Sequence, residues 1–305
     1  PNLSEFNTKA HSMFLYKQSR QINSYLEYLK DEGKTLGFVP TMGALHAGHL
    51  SLIQMALERA DIVICSIFVN PTQFDQEDDY LKYPQTLPED LKKLEAAGCH
   101  IAFAPTVSEI YPDGEQAYRL EIEMSDWTNK LEGTYRPGHF EGMMQVVARL
   151  LEIVPANYLL MGQKDYQQWS IVQEMVSRLG MQTEVLRHPI VREEDGLAMS
   201  SRNGRISPEL RGQANTLYKV LSYARDHYLQ SIREEGATEP LSPNQLAEKC
   251  RHMIEKSSFK LEYFELVDGS NLRPVENFDD PSSVVALTAG WLGDVRLIDN
   301  MILKH

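Results

Sequence analysis

The chain has 305 residues, of which 42% are hydrophobic and 24% are charged, and its formal net charge is −13. These fractions are typical of a globular protein, and the length is sufficient for two domains of unequal size. The acidic balance disfavours nucleic acid as a partner, because binding to a phosphate backbone needs a contiguous excess of Lys and Arg. It does not exclude a small anionic substrate, because charges farther away than a Debye length of about 8 Å are largely screened.

The apolar runs are short. None approaches the roughly 20 residues that a membrane-spanning helix needs, and residues 1–30 lack the apolar core of a signal peptide. We therefore expect a cytoplasmic protein with no membrane partner. The three cysteines, Cys65, Cys99 and Cys250, are far apart, so their spacing predicts neither a disulfide framework nor a CxxC metal site.

Strands and helices alternate through the first two thirds of the chain. An apolar run at 36–40 and a β-branched run at 61–70 predict buried strands, and helical spacing of apolar residues predicts a helix between them. The same reasoning predicts helices over 87–97, 141–154 and 166–179 and strands over 100–104, 157–161 and 182–187. This alternation predicts a Rossmann-like α/β fold, with a parallel sheet and helices on both of its faces.

The pattern changes after Pro208. It predicts helices over 209–230 and 245–256, separated by a polar stretch, and then strands over 261–267, 283–289 and 295–298. We interpret this part as a smaller α+β domain and place the boundary so that residues 1–189 form the larger domain and residues 190–305 the smaller one. The polar insertion at 231–244 lengthens the smaller domain, and its sequence indicates no role.

The segment 40–49, PTMGALHAGH, joins a strand to a helix. Gly43 permits close approach of the backbone, and a helix that begins near Gly48 offers unpaired N–H groups to an anion. Such a helix end stabilises a negative group by roughly 0.3–1 kcal/mol, so a triphosphate needs further donors. His46 and His49 lie three residues apart and are placed to supply them. The alternatives are a zinc pair, which needs a further ligand, and two surface histidines.

A second segment, MSSRN at 199–203, brings two hydroxyls beside a guanidinium. By itself it also fits a plain polar loop. It follows VREEDGLA at 191–198, however, and the two together predict a Gly-containing loop that wraps the β- and γ-phosphates of a nucleotide. Lys164 supplies another cation just after a predicted strand, at the end where open α/β sheets bind ligands.

These segments, in this order, resemble the pantothenate synthetases, also called pantoate–β-alanine ligases, a family of the HxGH nucleotidyltransferase superfamily. The HxGH element alone indicates only the superfamily, whereas FVNPTQF, GQKDYQQ and DGLAMSSRN are far more specific. The matching segments are PTMGALHAGHLSLI (40–53), SIFVNPTQF (66–74), YPQTLPEDL (83–91), RPGHFEGM (136–143), GQKDYQQ (162–168), VREEDGLAMSSRN (191–203) and RLIDN (296–300).

The resemblance implies an ATP-dependent ligation in two steps. The carboxylate of pantoate attacks the α-phosphate of ATP to give pantoyl adenylate and pyrophosphate, and the amine of β-alanine then displaces AMP. It further implies that Mg²⁺ arrives with ATP, held by phosphate oxygens and water more than by protein ligands. The larger domain is then the nucleotide- and pantoate-binding domain, the smaller one is a lid over ATP, and the protein is a homodimer.

The resemblance also implies roles for individual residues. The catalytic set, which also contacts the phosphates of ATP, comprises His46, His49, Lys164, Ser200, Ser201 and Arg202. Further residues implied at ATP are Pro40, Thr41, Met42, Gly43, Gly48, Gly162, Asp165, Val191 and Met199. Gln73 and Gln168 bind pantoate, and Asn70 and Tyr83 shape the side of the second substrate. Asp165 is also expected to cap the helix that begins at Tyr166.

Several alternatives stay open. Arg136 and His139 either orient a lid or cap surface carboxylates. Another nucleotidyltransferase of the superfamily would transfer the nucleotide and stop there. A non-catalytic nucleotide sensor would keep the phosphate site without the acyl-substrate residues. A class I tRNA synthetase is disfavoured, because the chain is acidic and carries MSSRN where those enzymes have a KMSKS-type loop.

Overall fold

The computed structural model describes residues 13–74, 80–81, 83–231 and 241–304, so most of the polar insertion predicted at 231–244 lies outside the described residues. The strands are β1 (Phe14–Tyr16), β2 (Leu36–Thr41), β3 (Ile62–Ile67), β4 (Ile101–Phe103), β5 (Tyr158–Gly162), β6 (Glu184–His188), β7 (Phe259–Asp268), β8 (Val284–Leu292) and β9 (Val295–Lys304). The helices are α1 (Ser19–Asp31), α2 (Ala47–Leu57), α3 (Leu87–Ala96), α4 (Val107–Ile110), α5 (Ser125–Thr128), α6 (Glu132–Tyr135), α7 (His139–Ile153), α8 (Tyr166–Arg178), α9 (Pro208–Arg211), α10 (Thr216–Ser231) and α11 (Pro243–Glu255).

The first six strands form one parallel sheet in the order β1-β4-β3-β2-β5-β6, and the last three form an antiparallel sheet in the order β7-β8-β9. The predicted fold class, a Rossmann-like parallel sheet followed by a smaller α+β unit, is confirmed. From β2 the chain adds β3 and then β4, which lies beside the edge strand β1, and it then returns to add β5 on the other side of β2. Ligands of open α/β sheets bind at such a reversal, outside the carboxyl ends of the strands.

Helices cover both faces of the parallel sheet, because alternate strand residues point to opposite sides. Phe38 and Leu159 point into a core formed with α1, α7 and α8. Val39 and Leu160, the next residue of each strand, point into a second core formed with α2 and α3. Burial on both faces explains why β2, β3 and β5 read as continuous apolar runs in the sequence.

The antiparallel sheet is also covered on both faces. One face packs against α10 and α11. The other packs against the larger unit, where Tyr263 and Val285 share a buried hydrophobic cluster with Tyr166 of α8. Beside this contact the guanidinium of Arg296 on β9 donates to both carboxylate oxygens of Glu132 on α6, at 2.7 and 3.0 Å, and to Glu262 on β7. A buried ion network therefore joins the antiparallel sheet to helix α6.

The structure differs from the sequence-based expectations at several elements. Strand β1, helix α1 and the short helices α4, α5 and α6 were not predicted. The helix predicted over 209–230 is interrupted between α9 and α10, where the side chain of Asn215 donates to the carbonyl of Asp195 at 3.0 Å. Arg211 at the end of α9 is held by the carboxylates of Glu193 and Asp195, at 2.6 Å each. Tertiary contacts with the preceding loop thus override the helical pattern.

One glycine allows an unusually close approach between helix α7 and the turn after β3. A Cβ on Gly142 would lie 2.2 Å from the carbonyl oxygen of Thr72, which is far inside van der Waals contact. Gly212, in the interruption between α9 and α10, has a φ of −65°, and a Cβ there would meet no heavy atom of the described residues within 4 Å.

We expect Gly142→Ala to lower the free energy of unfolding by about 1–3 kcal/mol, the usual cost of overpacking, although alanine has the higher helix propensity. Gly212→Ala is the matched control and should be neutral or stabilising by up to about 1 kcal/mol, because its backbone angle suits alanine. Urea unfolding followed by circular dichroism measures both. Equal unfolding midpoints for the two variants would contradict the close approach seen in the structure.

Candidate active site

A cavity of about 240 Å³ opens at the carboxyl ends of β2, β3 and β5. Every residue implied by the sequence resemblance lines it except Gly43. These residues are Pro40, Thr41, Met42, His46, Gly48, His49, Asn70, Gln73, Tyr83, Gly162, Lys164, Asp165, Gln168, Val191, Met199, Ser200, Ser201 and Arg202. Segments that lie far apart in the chain therefore surround one space.

The two histidines at the start of α2 hold each other in place. The Nδ1 atom of His46 accepts a hydrogen bond from the backbone N–H of Gly48 at 3.2 Å, and the Nδ1 atom of His49 accepts one from the backbone N–H of His46 at 3.3 Å. The ring centroids lie 4.0 Å apart. Since both Nδ1 atoms act as acceptors, each neutral ring carries its proton on Nε2. The pair therefore offers two Nε2–H donors.

Both imidazoles are held in the neutral form. Burial is the first cause that lowers the pKa of His46, followed by the nearby charge of Lys164. Burial, and then the adjacent His46, lowers the pKa of His49 to about 3. At neutral pH the two rings act as hydrogen-bond donors and not as cations.

The loop that presents this pair is braced by a carboxylate that the sequence analysis missed. Asp90 on α3 is fully buried and accepts hydrogen bonds from the backbone N–H groups of Ala44 at 2.9 Å and Leu45 at 2.8 Å. Ala44 has a φ of 49°, a left-handed conformation that is rare for a residue other than glycine. Gly43, with a φ of 83°, lies directly beside Asp90, which explains why it shapes the loop without lining the cavity.

The turn after β3 is built around Asn70. Its amide nitrogen donates to Thr72 Oγ1 at 2.9 Å and to the Gly142 carbonyl at 3.3 Å, and its amide oxygen accepts from Tyr111 at 3.1 Å. The side chain is buried and its hydrogen-bonding groups are engaged within the protein. Asn70 thus holds the turn that carries Gln73, and its amide nitrogen also lies 3.3 Å from the side-chain oxygen of Gln73.

Gln73 is linked to the start of α7 by a chain of side chains. The Nδ1–H of His139 donates to the carbonyl of Gln73 at 2.9 Å, and the Nε2 atom of His139 accepts from Arg136 at 3.0 Å. A carbonyl can only accept, so His139 carries its proton on Nδ1. Arg136 and His139 both line the cavity, and the charge of Arg136 also acts on the buried carboxylate of Glu132.

Lys164 and Asp165 follow β5 directly. The Nζ atom of Lys164 lies 3.8 Å from the carboxylate of Asp165, and the lysine side chain is 20% exposed, facing the cavity. The expectation that Asp165 caps α8 is wrong, because its side chain makes no capping hydrogen bond. The carboxylate points towards the lysine instead.

The loop 191–203 forms the opposite wall of the cavity. Its fold is fixed by Asn203, whose side chain donates to Glu193 at 2.7 Å and to the Ala198 carbonyl at 3.1 Å. The hydroxyl of Ser200 accepts from the backbone N–H of Arg202 at 3.2 Å. This is a compact loop and not an open polar segment, and it places two hydroxyls and a guanidinium at the edge of the cavity.

A second cavity of about 370 Å³ lies between the antiparallel sheet and the segments around α6, the start of α7 and residues 164–168, and it shares lining residues with the first. Lys164, Gln168, Ser200 and Arg202 line both cavities, while Arg296 of β9 lines only the second. Within the described residues, no three His, Cys, Asp or Glu side chains form a group that could hold a metal ion. Among the residues that the structure describes, no helix is long and apolar enough to cross a membrane.

Comparison with known proteins identifies the family. The model of the pantoate-beta-alanine ligase family matches residues 15–302 of the chain. The chain belongs to this family. It is 41% identical to the pantothenate synthetase of Bacteroides fragilis over 294 residues, which cover 94% of the chain and 97% of that protein. It is 42% identical to the pantothenate synthetase of Thermotoga petrophila over 291 residues, which cover 95% of the chain and all of that protein.

Solved structures of pantoate–β-alanine ligases share the fold over nearly the whole chain. The pantothenate synthetase of Thermus thermophilus superposes with a TM-score of 0.86 at 37% identity, covering 96% of this chain and 100% of that one. The ligase of Francisella tularensis superposes with a TM-score of 0.75 at 34% identity, covering 96% and 98%. That structure is described as a complex with beta-gamma ATP and beta-alanine.

The low pKa of His49 makes a prediction about acid stability. An unfolded histidine titrates near pH 6.5, so between that pH and about 3 the unfolded chain binds a proton that the folded protein does not. The free energy of unfolding of the wild type therefore decreases as the pH falls from about 6.5 to about 3, because protonation favours the unfolded chain. We expect the free energy of unfolding of His49→Gln to fall less steeply than that of the wild type.

Urea unfolding at a series of pH values between 7 and 4 measures this slope. The same exchange at the exposed His252 serves as a control and should keep a slope closer to that of the wild type. Parallel curves for the wild type and His49→Gln would show that His49 is not held neutral by the fold.

Proposed function

We propose that the protein joins pantoate to β-alanine at the expense of ATP, through a pantoyl-adenylate intermediate, and releases AMP and pyrophosphate. Membership of the pantoate–β-alanine ligase family supports this reaction. The single observation that carries the assignment of residues is that one cavity, at the reversal point of the sheet, brings the His46–His49 pair together with Lys164 and the loop that contains Ser200 and Arg202.

The first step activates an unreactive acid. A carboxylate oxygen of pantoate forms a bond to the α-phosphorus while the bond to the bridging oxygen of pyrophosphate breaks, and negative charge moves to the leaving group. The Nε2–H donors of His46 and His49 would stabilise that charge without the cost of burying two cations. Lys164 and Arg202 would supply the positive charge, with the hydroxyls of Ser200 and Ser201 as further donors to the β- and γ-phosphates.

The second step forms the amide. The amine of β-alanine attacks the acyl carbon of the adenylate, AMP leaves with the electrons of the acyl–oxygen bond, and the amine loses a proton. Gln73 and Gln168 suit pantoate, because an amide donates to a carboxylate and also exchanges hydrogen bonds with hydroxyls. Tyr83 and the turn shaped by Asn70 would lie on the side of the amine. Positioning and exclusion of water then account for most of the catalysis.

The nucleotide sites follow from the same arrangement. Gly162 and Asp165 after β5 would lie along the ribose and adenine, and Met42 and Met199 would line the nucleotide. Pro40, Thr41, Gly43, Gly48 and Val191 complete the proposed ATP set. A triphosphate carries more negative charge than Lys164 and Arg202 neutralise, so we propose that Mg²⁺ enters with ATP, held chiefly by phosphate oxygens and water.

The proposal extends to domain organisation. Residues 1–189 would be the nucleotide- and pantoate-binding domain, and residues 190–305 a lid that closes over ATP. The cavity of about 370 Å³ beside the antiparallel sheet supports this, because it leaves room for the two domains to approach each other. We further propose a homodimer in the cytoplasm. Phe14 and Leu15 on the edge strand β1 are 54% and 43% exposed, which offers an apolar edge of the larger domain to a second copy.

The central test is pantoate-dependent exchange. If pantoyl adenylate forms reversibly, labelled pyrophosphate should enter ATP when pantoate is present and should do so much more slowly without it. β-Alanine should then trigger release of AMP. A nucleotidyltransferase that stops after transfer would accumulate a nucleotidyl product and release no AMP on addition of the amine. Absence of exchange under conditions where ATP binds would reject the proposal.

The second test concerns His49. We expect His49→Ala to lower the rate of adenylation by about 10²–10³, the cost of losing one preorganised donor to a developing charge. Single-turnover measurement of adenylate formation reports this rate directly. His252→Ala, at a remote exposed histidine, is the control and should keep the wild-type rate. An unchanged rate in His49→Ala would remove His49 from the mechanism.

A further inference from the structure

We propose that Asp299 and Asn300 on β9 are positioning residues that tie the segment Gly162–Asp165 to the loop 191–203, and thereby set the spacing between Lys164 and the Ser200–Arg202 cluster. This inference rests on the proposed function, in which these groups bind one triphosphate. The two residues belong to the RLIDN segment, to which the mechanism above assigns no role.

Asn300 holds the segment that follows β5. Its amide nitrogen donates to the carbonyl oxygens of Gln163 and Lys164, at 2.9 Å each, and its amide oxygen accepts from the side chain of Gln163 at 3.2 Å. The residue is only 1% exposed. These three hydrogen bonds fix the backbone of Lys164 from a strand that belongs to the other sheet.

Asp299, the preceding residue, holds the loop after β6. Its carboxylate receives two hydrogen bonds from the guanidinium of Arg192, at 2.7 and 2.9 Å, and the same guanidinium donates to the backbone carbonyl of Asn300 at 3.3 Å. Asp299 is 5% exposed. A two-point contact of this kind fixes direction as well as distance.

Arg192 is itself rigidly placed. Its guanidinium carbon lies 4.4 Å from the centroid of the Tyr218 ring, and one of its nitrogens donates to the Gly196 carbonyl at 3.0 Å. A Cβ on Gly196 would lie 2.1 Å from an atom of the Tyr218 ring, so the loop fits closely over that ring. A displacement of Asp299 should therefore displace the loop 191–203, because the side chain of Arg192 has little freedom to compensate.

The consequence is geometric. Lys164 comes from the parallel sheet and the Ser200–Arg202 cluster from a separate loop, yet both are anchored to two consecutive residues of one strand. Cationic and hydroxyl donors stabilise a polyphosphate only when they converge on it within a fraction of an ångström. Asp299 and Asn300 together hold Lys164 and the Ser200–Arg202 cluster at a fixed distance from each other.

Two variants test the inference, Asn300→Ala and the isosteric Asp299→Asn. We expect each to weaken the binding of α,β-methylene-ATP, measured by calorimetry, by about tenfold, which corresponds to about 1.4 kcal/mol. The KM for pantoate at saturating ATP should change by less than about twofold, since neither anchored segment, 162–165 nor 191–203, contains Gln73 or Gln168. If Asp299→Asn does not fold, Arg192→Lys, which keeps the charge and loses the two-point contact with Asp299, replaces it.

Thr288→Val is the matched control. Thr288 pairs with Asp299 across β8 and β9, is equally buried, and donates one hydrogen bond to the Tyr263 carbonyl. It should lower thermal stability while leaving the affinity for the nucleotide unchanged. Equal weakening of nucleotide binding in this control would show that general loss of stability is responsible, and would overturn the inference.

The double variant Asp299→Asn/Asn300→Ala adds a second criterion. If the two residues act as one link, loss of either side chain is enough to release the distance between Lys164 and the Ser200–Arg202 cluster. The double variant should then bind the analogue about as weakly as the weaker-binding single variant. Additive losses would overturn the inference. Pyrophosphate exchange by the wild type, measured alongside, distinguishes failure of the proposed function from failure of this inference. Absence of exchange would reject the proposed function. Exchange in the wild type, together with unaltered affinity of the variants for α,β-methylene-ATP, would reject only the link formed by Asp299 and Asn300.

Discussion

The pairing of β2 with β5 is the constraint on which the rest of the structure depends. These strands are distant in sequence and become neighbours because the chain reverses its direction of sheet growth between them. Asn157 locks the pairing at its start: its side-chain oxygen accepts from the backbone N–H of Leu36 at 2.9 Å, and its own N–H donates to the Leu36 carbonyl. Because the two strands are parallel, the segments that follow β2 and β5 leave the sheet at the same edge. The histidine pair and Lys164 meet there for that reason.

Buried carboxylates organise the segments that this pairing brings together. Asp90 braces the loop after β2, Glu132 joins α6 to β9, and Asp299 holds the loop after β6. Burial opposes the charge of Glu132, yet hydrogen bonds from Arg296 outweigh it and hold the pKa of that carboxyl below its usual value. Removing one partner of such a pair leaves an uncompensated charge, so these contacts fix conformation strongly even where their net contribution to stability is small.

The neutral histidines complement this arrangement. A site that must receive a polyphosphate gains little from two additional buried cations that repel each other when it is empty. Engaged at Nδ1 by backbone N–H groups, His46 and His49 keep both Nε2–H donors available over the physiological pH range. Positive charge comes instead from cations such as Lys164 and Arg202, which line both cavities.

The sequence by itself determined the strand–helix alternation from β2 to β6, because burial on both faces and helical periodicity leave local signals. It also indicated many of the side chains that line the cavity, through the resemblance of their segments to those of the pantoate–β-alanine ligases. It missed β1 and α1, and it joined α9 to α10, where Arg211 and Asn215 contact Glu193 and Asp195 of the preceding loop. The tautomers of His46 and His49 follow from hydrogen bonds within residues 46–49, which form once this segment turns into α2. Only the tertiary structure decided the bracing by Asp90 and the contacts of Asn70 with Tyr111 and Gly142. Those partners are remote in sequence and become neighbours only after the sheet has formed.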